Sequence, residues 1–321
     1  MGKKKGLTED SLILPAPSFA STIPIVDTHT HLMSTFSAYR EKYRNGRFET
    51  IYDFVRGVYA PGEGRPRVQS IVDVWCEAPV QSMWREIADS AVAEENRMEL
   101  WGGISYWFVM GVHPHEAKQY DDFVEKDILE AMTHPRCVGW GEIGLDYHYD
   151  NSPKHLQQEV LVRQLRHAVR LGKPLTIHTR EADEDIERIL KAEVPRDHKI
   201  HIHCFTDAPE LARRLLSYFP NLFIGITGVI TYSSNLNTVA LVRQLADEPT
   251  PPRIILETDA PYMVPSNLYD SLPGVKGRLP FCHTAMIPWT AQFVSQAVSE
   301  KFDADEVMAL GRENARIMYG V

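Results

Sequence analysis

The sequence is poor in cysteine, in long apolar runs and in positive charge. Its four cysteines show no C-x-x-C spacing, which favours a reduced, intracellular protein over a disulfide-bonded one. No run of 18 apolar residues occurs, so we expect no membrane span. The formal net charge of −9 argues against a surface coated in basic residues for gripping nucleic acid. The net charge does not determine the sign of the charge in any single cleft.

The start of the chain also lacks the features of a secretory signal. Three lysines at positions 3 to 5 are not followed by an apolar core or a small-residue cleavage site. We expect residues 1–22 to form a flexible leader, with nuclear targeting by the lysines as the second interpretation. Residues 23–321 show no internal repeat and no linker, so we expect them to form a single domain. We expect the protein in the cytoplasm, the nucleus or both.

Eight short segments rich in β-branched and apolar residues recur along the chain, with room for a helix after each of them. They are residues 23–32, 69–76, 107–113, 137–146, 174–178, 199–205, 221–230 and 253–259. Alternating strand and helix units of this number predict an α/β fold, a (β/α)8 TIM barrel.

Residues 33–70 are too long for an ordinary connection and predict an insertion after strand 1. The insertion carries a local excess of positive charge with tyrosines between the basic residues. Because it follows a barrel strand, we expect it on the catalytic face, where Arg40, Lys42, Arg44 and Arg47 could neutralise the phosphates of a bound strand. The alternative is a rim helix with its charges in water.

Side chains of the metal-ligand type recur near the carboxyl ends of the predicted strands. His29 and His31 alternate with threonines and therefore share one strand face. Strand ends of a parallel barrel all point to one mouth, so residues far apart in sequence meet there. The sequence predicts a metal site formed by His29, His31, Glu142, His178, His203 and Asp259.

Six motifs carry a family resemblance. They are D-T-H-T-H at 27–31, G-V-H-P-H at 111–115, G-E-I-G-L-D-Y at 141–147, I-H-T-R-E-A at 177–182, H-C-F-T at 203–206 and E-T-D-A-P-Y at 257–262. In this order they resemble the TatD family of metal-dependent deoxyribonucleases in the amidohydrolase superfamily. Other hydrolases of the superfamily carry a carbamylated lysine at the end of strand 4, and Glu142 at that place favours the TatD branch.

The resemblance implies two divalent ions. The first would be held by His29, His31, Glu142 and Asp259, and the second by His178 and His203 with Glu142 bridging. Zinc, magnesium and manganese all remain open as the metal. Asp259 and Glu142 would then be the catalytic residues, since paired ions activate a shared water for attack on phosphorus and a carboxylate accepts its proton.

Further residues are expected around the substrate. His113 is expected to contact a phosphate, with a hydrogen-bonded loop histidine as the alternative. Arg180 has the planar fork that suits a phosphate, and a salt bridge to Glu181 or Glu142 is its alternative. Asp27 and Glu257 each precede a ligand by two residues, and we expect them to orient the imidazoles.

Two stretches depart from the family pattern. Asp207 stands where family members commonly have glycine, and its capping-box spacing to Glu210 predicts a helix N-cap. Residues 263–286 form a long loop after strand 8, in which Arg278 and His283 are expected to replace the family's phosphate contacts. This loop resembles the fungal branch, some members of which are described as partners of a cell-cycle ubiquitin-ligase subunit, so a protein partner in that machinery is a further expectation.

The expected function is metal-dependent cleavage of phosphodiester bonds in DNA. A metal-dependent hydrolase of a small ester, amide or aminoacyl bond is the first alternative, because the same activated water serves it. An interaction protein with a retained metal site is the second alternative. The basic, aromatic insertion favours the nuclease, and burial of those residues would remove that support.

Overall fold

The computed structural model describes residues 5–272, 275–299 and 301–321. Eight parallel strands form one sheet in which each strand pairs with its neighbours in sequence, so the predicted (β/α)8 TIM barrel is confirmed. The strands are β1 (Ile25–Thr30), β2 (Val68–Trp75), β3 (Ser105–Met110), β4 (Cys137–Asp146), β5 (Leu175–Arg180), β6 (Ile200–Ile202), β7 (Leu222–Ile226) and β8 (Ile254–Leu256).

Helices surround the sheet and bury its outer face. They are α1 (Leu32–Lys42), α2 (Ile51–Val58), α3 (Met83–Ser90), α4 (Glu94–Trp101), α5 (Asp122–Ala131), α6 (Lys154–Leu171), α7 (Asp183–Glu193), α8 (Pro209–Tyr218), α9 (Leu236–Ala246), α10 (Ile287–Ala297) and α11 (Ala304–Tyr319). No helix among the described residues is both long and apolar enough to cross a membrane. All four cysteines are free.

The barrel closes where β8 meets β1, and a buried carboxylate holds this seam. Asp27 in β1 accepts hydrogen bonds from the amide of Thr258 (3.0 Å), from its hydroxyl (2.6 Å) and from the hydroxyl of Thr284 (2.8 Å). Two backbone bonds lie beside it, from His31 N–H to the carbonyl of Ala260 (2.8 Å) and from Asp259 N–H to the carbonyl of His29 (2.9 Å). The seam therefore depends on a side chain as well as on backbone pairing.

The predicted insertion after β1 contains α1 and α2, and the stretch expected to be a flexible leader packs on it. Leu12 and Leu14 are buried in the core. The Tyr39 hydroxyl, wholly buried, donates to Glu9 (2.5 Å), and the Arg47 guanidinium lies 2.9 Å from Asp10. Residues 1–4, which hold two of the lysines considered for nuclear targeting, lie outside the described residues.

Asp207 does not cap a helix, contrary to the prediction from its spacing. Helix α8 has Ala208 at its N-cap, without a side-chain capping bond. The Asp207 carboxylate turns back and accepts from the Thr179 hydroxyl (3.2 Å) and the Glu181 amide (3.3 Å). It therefore ties the end of β5 to the segment after β6. The capping-box spacing was misleading because the proline at position 209 starts the helix one residue later.

Candidate metal centre

Six ligand-type side chains from five strands meet at the carboxyl end of the barrel, around Glu142. One oxygen of Glu142, Oε2, lies 3.4 Å from His29 Nε2 and 3.6 Å from His31 Nε2. The other oxygen, Oε1, lies 2.9 Å from His178 Nδ1 and 2.7 Å from His203 Nε2. The two carboxylate oxygens thus face different imidazoles.

Asp259 completes the group on the side of β1. Its Oδ1 lies 3.4 Å from His31 Nε2 and 3.8 Å from His29 Nε2. Asp259 has a φ of +52°, a left-handed conformation that aspartate adopts more readily than most residues. Its amide donates to the carbonyl of His29 (2.9 Å), which fixes the turn that places the carboxylate at the mouth.

The arrangement fits a divalent cation. His29 is wholly buried, and neither of its ring nitrogens has a hydrogen-bond partner among the described atoms. A buried nitrogen without a hydrogen-bond partner costs folding free energy. The Nε2 atom of His29 faces the carboxylates of Glu142 and Asp259, and this is the arrangement in which an imidazole and carboxylates bind one cation together. Donor atoms lie within 4.8 Å of one another in three sets: His29, His203 and Asp259; His29, His31 and Glu142; His113, Glu142 and His178.

The electrostatics favour the ligand forms of His29 and of the two carboxylates, whereas the neighbouring carboxylates raise the pKa of His31, His178 and His203 in spite of their burial. Burial and the nearby charge of His203 lower the pKa of His29 to about 4, so its imidazole is neutral. Burial alone would raise the pKa of Glu142, but the charges of His203 and His113 hold it well below its ordinary value. The pKa of Asp259 is likewise lowered, against its burial, by the hydrogen bond from His31. Because metal ions bind neutral imidazoles and ionised carboxylates, a bound ion would displace the protons that the carboxylates otherwise hold on His31, His178 and His203.

Two buried glutamines on one face of α6 hold the strand ends that carry the site. The Gln164 side chain accepts from the Val112 amide (2.8 Å) and donates to the Val112 carbonyl (3.1 Å), directly before His113. The Gln157 side chain accepts from the Asp146 amide and donates to its carbonyl, both at 2.9 Å. The outer helix therefore fixes the mouth through side-chain amides that replace backbone pairing.

Asp146 was missed by the sequence reasoning although it ends the G-E-I-G-L-D motif. Its Oδ2 lies 3.3 Å from His178 Nε2 and 2.9 Å from His115 Nε2. Because strand side chains alternate, Asp146 shares a face with Glu142 four residues earlier, which is the signal that could have found it. Asp146 therefore orients the imidazole of His178 and draws His115 to the mouth.

His113 and Arg180 both lie at the mouth. His113 Nε2 is 3.4 Å from Glu142 Oε1, and His113 Nδ1 accepts from the His115 amide (3.1 Å). The Arg180 guanidinium lies over the Tyr149 ring, 5.1 Å from its centroid, and makes no ion pair with any described carboxylate. The salt bridges considered for Arg180 are therefore not formed.

The structure does not bring Arg278 and His283 to the metal centre. Arg278 is exposed in the loop after β8, outside the residues that line the mouth. His283 is wholly buried, with its ring 5.8 Å from that of Tyr59. The next residue, Thr284, is bonded to Asp27, and this contact draws His283 under the barrel seam.

Asp27 and Glu257 are both buried, but their hydrogen bonds go elsewhere than to the imidazoles of His29 and His31. Asp27 holds the seam, as described above. Glu257 lies 2.9 Å from His201 Nε2 and accepts from the Cys204 amide (2.5 Å). Glu257 thereby fixes the start of the segment that carries His203, and the unpartnered nitrogens of His29 show that neither carboxylate binds that ring.

Three adjoining cavities form the mouth. The central cavity, about 490 Å³, contains the metal centre together with Asp146, Tyr149 and Arg180. A second cavity, about 330 Å³, extends from His31 along α1, and a third, about 530 Å³, extends from Arg180 to the start of α9. The α1 side is lined by Glu41, while Arg40 is turned to the carbonyls of Gly46 and Phe48. The basic residues of the insertion that were expected at the mouth, Arg40, Lys42, Arg44 and Arg47, are therefore absent from the described residues that line the three cavities.

Residues 26–320 match the family model for TatD-related DNases. The human "3'-5' RNA nuclease TATDN2" is 33% identical over 299 residues, which are 92% of this chain and 35% of that protein, so the chain spans about a third of its length. The Escherichia coli "3'-5' ssDNA/RNA exonuclease TatD" is 30% identical over 218 residues, covering 68% of this chain and 79% of that protein.

The fold has neighbours among solved structures. A TatD family hydrolase from Entamoeba histolytica superposes with a TM-score of 0.70 at 19% identity, over 94% of this chain and 99% of that one. A TatD homologue from Escherichia coli gives a TM-score of 0.65 at 23% identity, over 94% and 99%. These likenesses establish the fold, and the family match extends along nearly the whole barrel. The chain belongs to the TatD-related DNase family of metal-dependent hydrolases.

Proposed function

We propose that the protein is a metal-dependent nuclease that cleaves phosphodiester bonds in single-stranded DNA or RNA, with two divalent ions sharing Glu142. The observation that carries the proposal is the two-sided setting of this carboxylate. One oxygen faces His29 and His31, and the other faces His178 and His203. The relatives named as ssDNA/RNA and RNA nucleases support this substrate class.

Two donor sets would hold the ions. His29, His31 and Asp259 with one oxygen of Glu142 form the first set, and His178 and His203 with the other oxygen form the second. When bound, divalent ions supply Lewis acidity toward water and phosphate oxygens. The mixture of imidazole and carboxylate suits zinc or manganese, and magnesium is common in phosphodiester chemistry.

The chain's own residues supply the remaining steps. Asp259 lies at the mouth with a lowered pKa, so its carboxylate is ionised and can accept the proton of the attacking water. Arg180 offers a cation without a described carboxylate partner at the edge of the central cavity, which suits a phosphate. His113, between Glu142 and the open cavity, would contact the phosphate that is cleaved.

A second candidate is a hydrolase of a small ester or amide, and one observation favours it. The wall along α1 carries Glu41, and the facing wall carries Glu77. Arg40 and Arg47 of the insertion make their contacts elsewhere, with the Phe48 carbonyl and with Asp10. An acidic wall suits a long polyanion poorly. Because the same metal centre serves both reactions, only the substrate separates them.

The test is direct. Metal content of the purified protein is measured first by mass spectrometry. Labelled single-stranded DNA, single-stranded RNA and duplex DNA are then incubated with the protein and added Mg²⁺, Mn²⁺ or Zn²⁺, beside methyl 4-nitrophenyl phosphate and a carboxyl ester. We expect single strands to be cut faster than duplex DNA. Hydrolysis of the carboxyl ester without cleavage of any phosphodiester would reject the nuclease in favour of the second candidate.

A further inference from the structure

The cavity along α1, which we call the α1 groove, opens directly beside His31. One face of α1 provides Met33, Ser34 and Glu41, and the segment at the end of β2 provides Trp75 and Glu77 on the other side. Its volume of about 330 Å³ lies in the range of small-molecule sites, which combine apolar walls with a few polar groups. The groove therefore has room for one small ligand group next to the metal centre.

The charge of the α1 groove excludes a phosphate. Glu41 and Glu77 are both exposed to the groove, and no lysine or arginine occurs among its described lining residues. A phosphate group would be repelled there, whereas carboxylates readily accept hydrogen bonds from the amino groups of nucleobases. Arg180, the cation of the mouth, lines the two other cavities. The two ends of the mouth thus differ in polarity.

Tyr262 stands where the α1 groove joins the central cavity. Its side chain lines both, it is 58% exposed, and its ring centroid lies 6.4 Å from that of His31. An exposed aromatic ring beside a nucleic-acid site offers a stacking surface for an unpaired base. Tyr262 follows Asp259 by only three residues, so the ring on which a base could stack lies in the same short segment as the proposed proton acceptor.

We propose that the α1 groove holds the terminal nucleoside of a nucleic-acid strand, with its base stacked on Tyr262. The terminal phosphodiester then lies at the metal centre, and the following phosphate lies toward Arg180. This inference rests on the proposed nuclease function and deepens it, since it makes the enzyme act at strand ends. The relatives' names specify the 3′ end, and a terminal hydroxyl suits the acidic groove better than a terminal phosphate.

The test compares two oligonucleotides that differ only at the 3′ end, one with a normal terminal nucleotide and one with an abasic terminal nucleotide. We expect the wild-type enzyme to release the normal nucleotide about 5- to 150-fold faster in kcat/KM, the ratio that stacking of about 1–3 kcal/mol corresponds to. Tyr262→Ala should reduce this ratio to about one, and Tyr262→Phe should retain it because the ring is kept. Metal content is measured for every variant and should not change.

A matched control is Tyr149→Ala. Tyr149 is also a half-exposed tyrosine of the mouth, but it lies on the Arg180 side. This variant should slow both substrates alike and keep the ratio. Equal rates of the wild-type enzyme on the two substrates, or an unchanged ratio in Tyr262→Ala, would overturn the assignment of the groove while leaving the nuclease intact. No cleavage of either substrate by the metal-loaded wild-type enzyme would overturn the proposed function and this inference together.

Discussion

The Nε2 atom of His203 lies 2.7 Å from Oε1 of Glu142. His203 stands just beyond β6 and Glu142 stands on β4, so β5 lies between the two residues in the sheet. A barrel makes this contact possible because strand ends curve toward a common axis. The opposite oxygen of Glu142 reaches His29 on β1. One carboxylate therefore links both halves of the metal centre.

The first prediction concerns this link. Glu142→Gln should lower bound metal and reduce kcat on order of 10²–10³-fold or more, because the amide provides only one weak ligand oxygen and no charge. Metal analysis and kinetics check this, with circular dichroism to verify folding. Glu116→Gln is the matched control, since Glu116 lines the same cavity outside the donor sets. Full metal content in Glu142→Gln would contradict the shared carboxylate.

The second prediction concerns proton transfer. Asp259→Asn should keep at least one ion and the affinity for a single strand but lose about 10²–10⁴-fold in kcat, since an amide cannot accept the proton of the attacking water. Single-turnover cleavage and an equilibrium binding assay check the two parts separately. A rate within a few-fold of wild type would remove Asp259 from the role of base.

The third prediction concerns Arg180. Arg180→Ala should raise KM for a single strand about tenfold and leave metal content unchanged, because the lost contact is to phosphate. The slope of log affinity against log salt should become shallower by roughly 0.7, the value for one single-strand phosphate contact. Arg188→Ala is the control, as Arg188 is paired with Asp185 on α7. An unchanged slope in Arg180→Ala would show that the guanidinium serves Tyr149 alone.

The fourth prediction concerns the insertion. Replacement of Arg40, Lys42, Arg44 and Arg47 by glutamine should leave the salt dependence of strand binding unchanged, because none of them lines the mouth cavities. Thermal stability should fall, since Arg40 donates to two carbonyls and Arg47 pairs with the leader. Filter binding across a salt series and thermal melting check the two parts. A flattened salt slope would return these residues to the binding surface.

The fifth prediction concerns Asp207. Burial raises the pKa of this carboxyl to about 6, above its value of 3.8 in an unfolded chain. Its contribution to stability is therefore complete below about pH 4 and is lost as the pH rises through about 6. In Asp207→Asn the amide oxygen can accept from the Glu181 N–H and the amide N–H can donate to the Thr179 hydroxyl, without this loss. Relative to wild type, the variant should gain on the order of 2–3 kcal/mol between about pH 4 and about pH 7.

Urea unfolding at the two pH values checks the Asp207 prediction. The wild-type protein and Asp207→Asn share every other titrating group, so the difference between their free energies of unfolding isolates the effect of the Asp207 carboxyl. If the two curves run parallel across this range, the carboxyl ionises in the folded protein as it does in the unfolded chain.

The sequence sufficed for the barrel and for the place of the ligand-type residues. Strand β4 has the predicted bounds 137–146, and His29, Glu142 and His178 meet as expected. This part is predictable because strand alternation fixes which residues face inward, and a parallel barrel sends all strand ends to one mouth. Local rules are enough when the global geometry is regular.

The parts that failed depend on loops packing against distant residues. The direction of Arg47 is decided by Glu9 and Asp10, which no local pattern links to it. His283 was expected at the mouth because its loop replaces the stretch that carries the family's phosphate contacts, yet Thr284 bonds to Asp27 and His283 lies in the interior. Such contacts are set by tertiary packing and leave no periodic signal in the sequence.

The two glutamines of α6 change how natural variation in this chain should be interpreted. Gln157 and Gln164 lie on an outer helix, where a substitution would ordinarily be judged tolerable or, at worst, damaging to the fold. Their amides nevertheless hold the backbone beside His113 and at Asp146. A variant at either position can produce a full-length, folded and inactive protein, so screening by abundance alone would class it as benign.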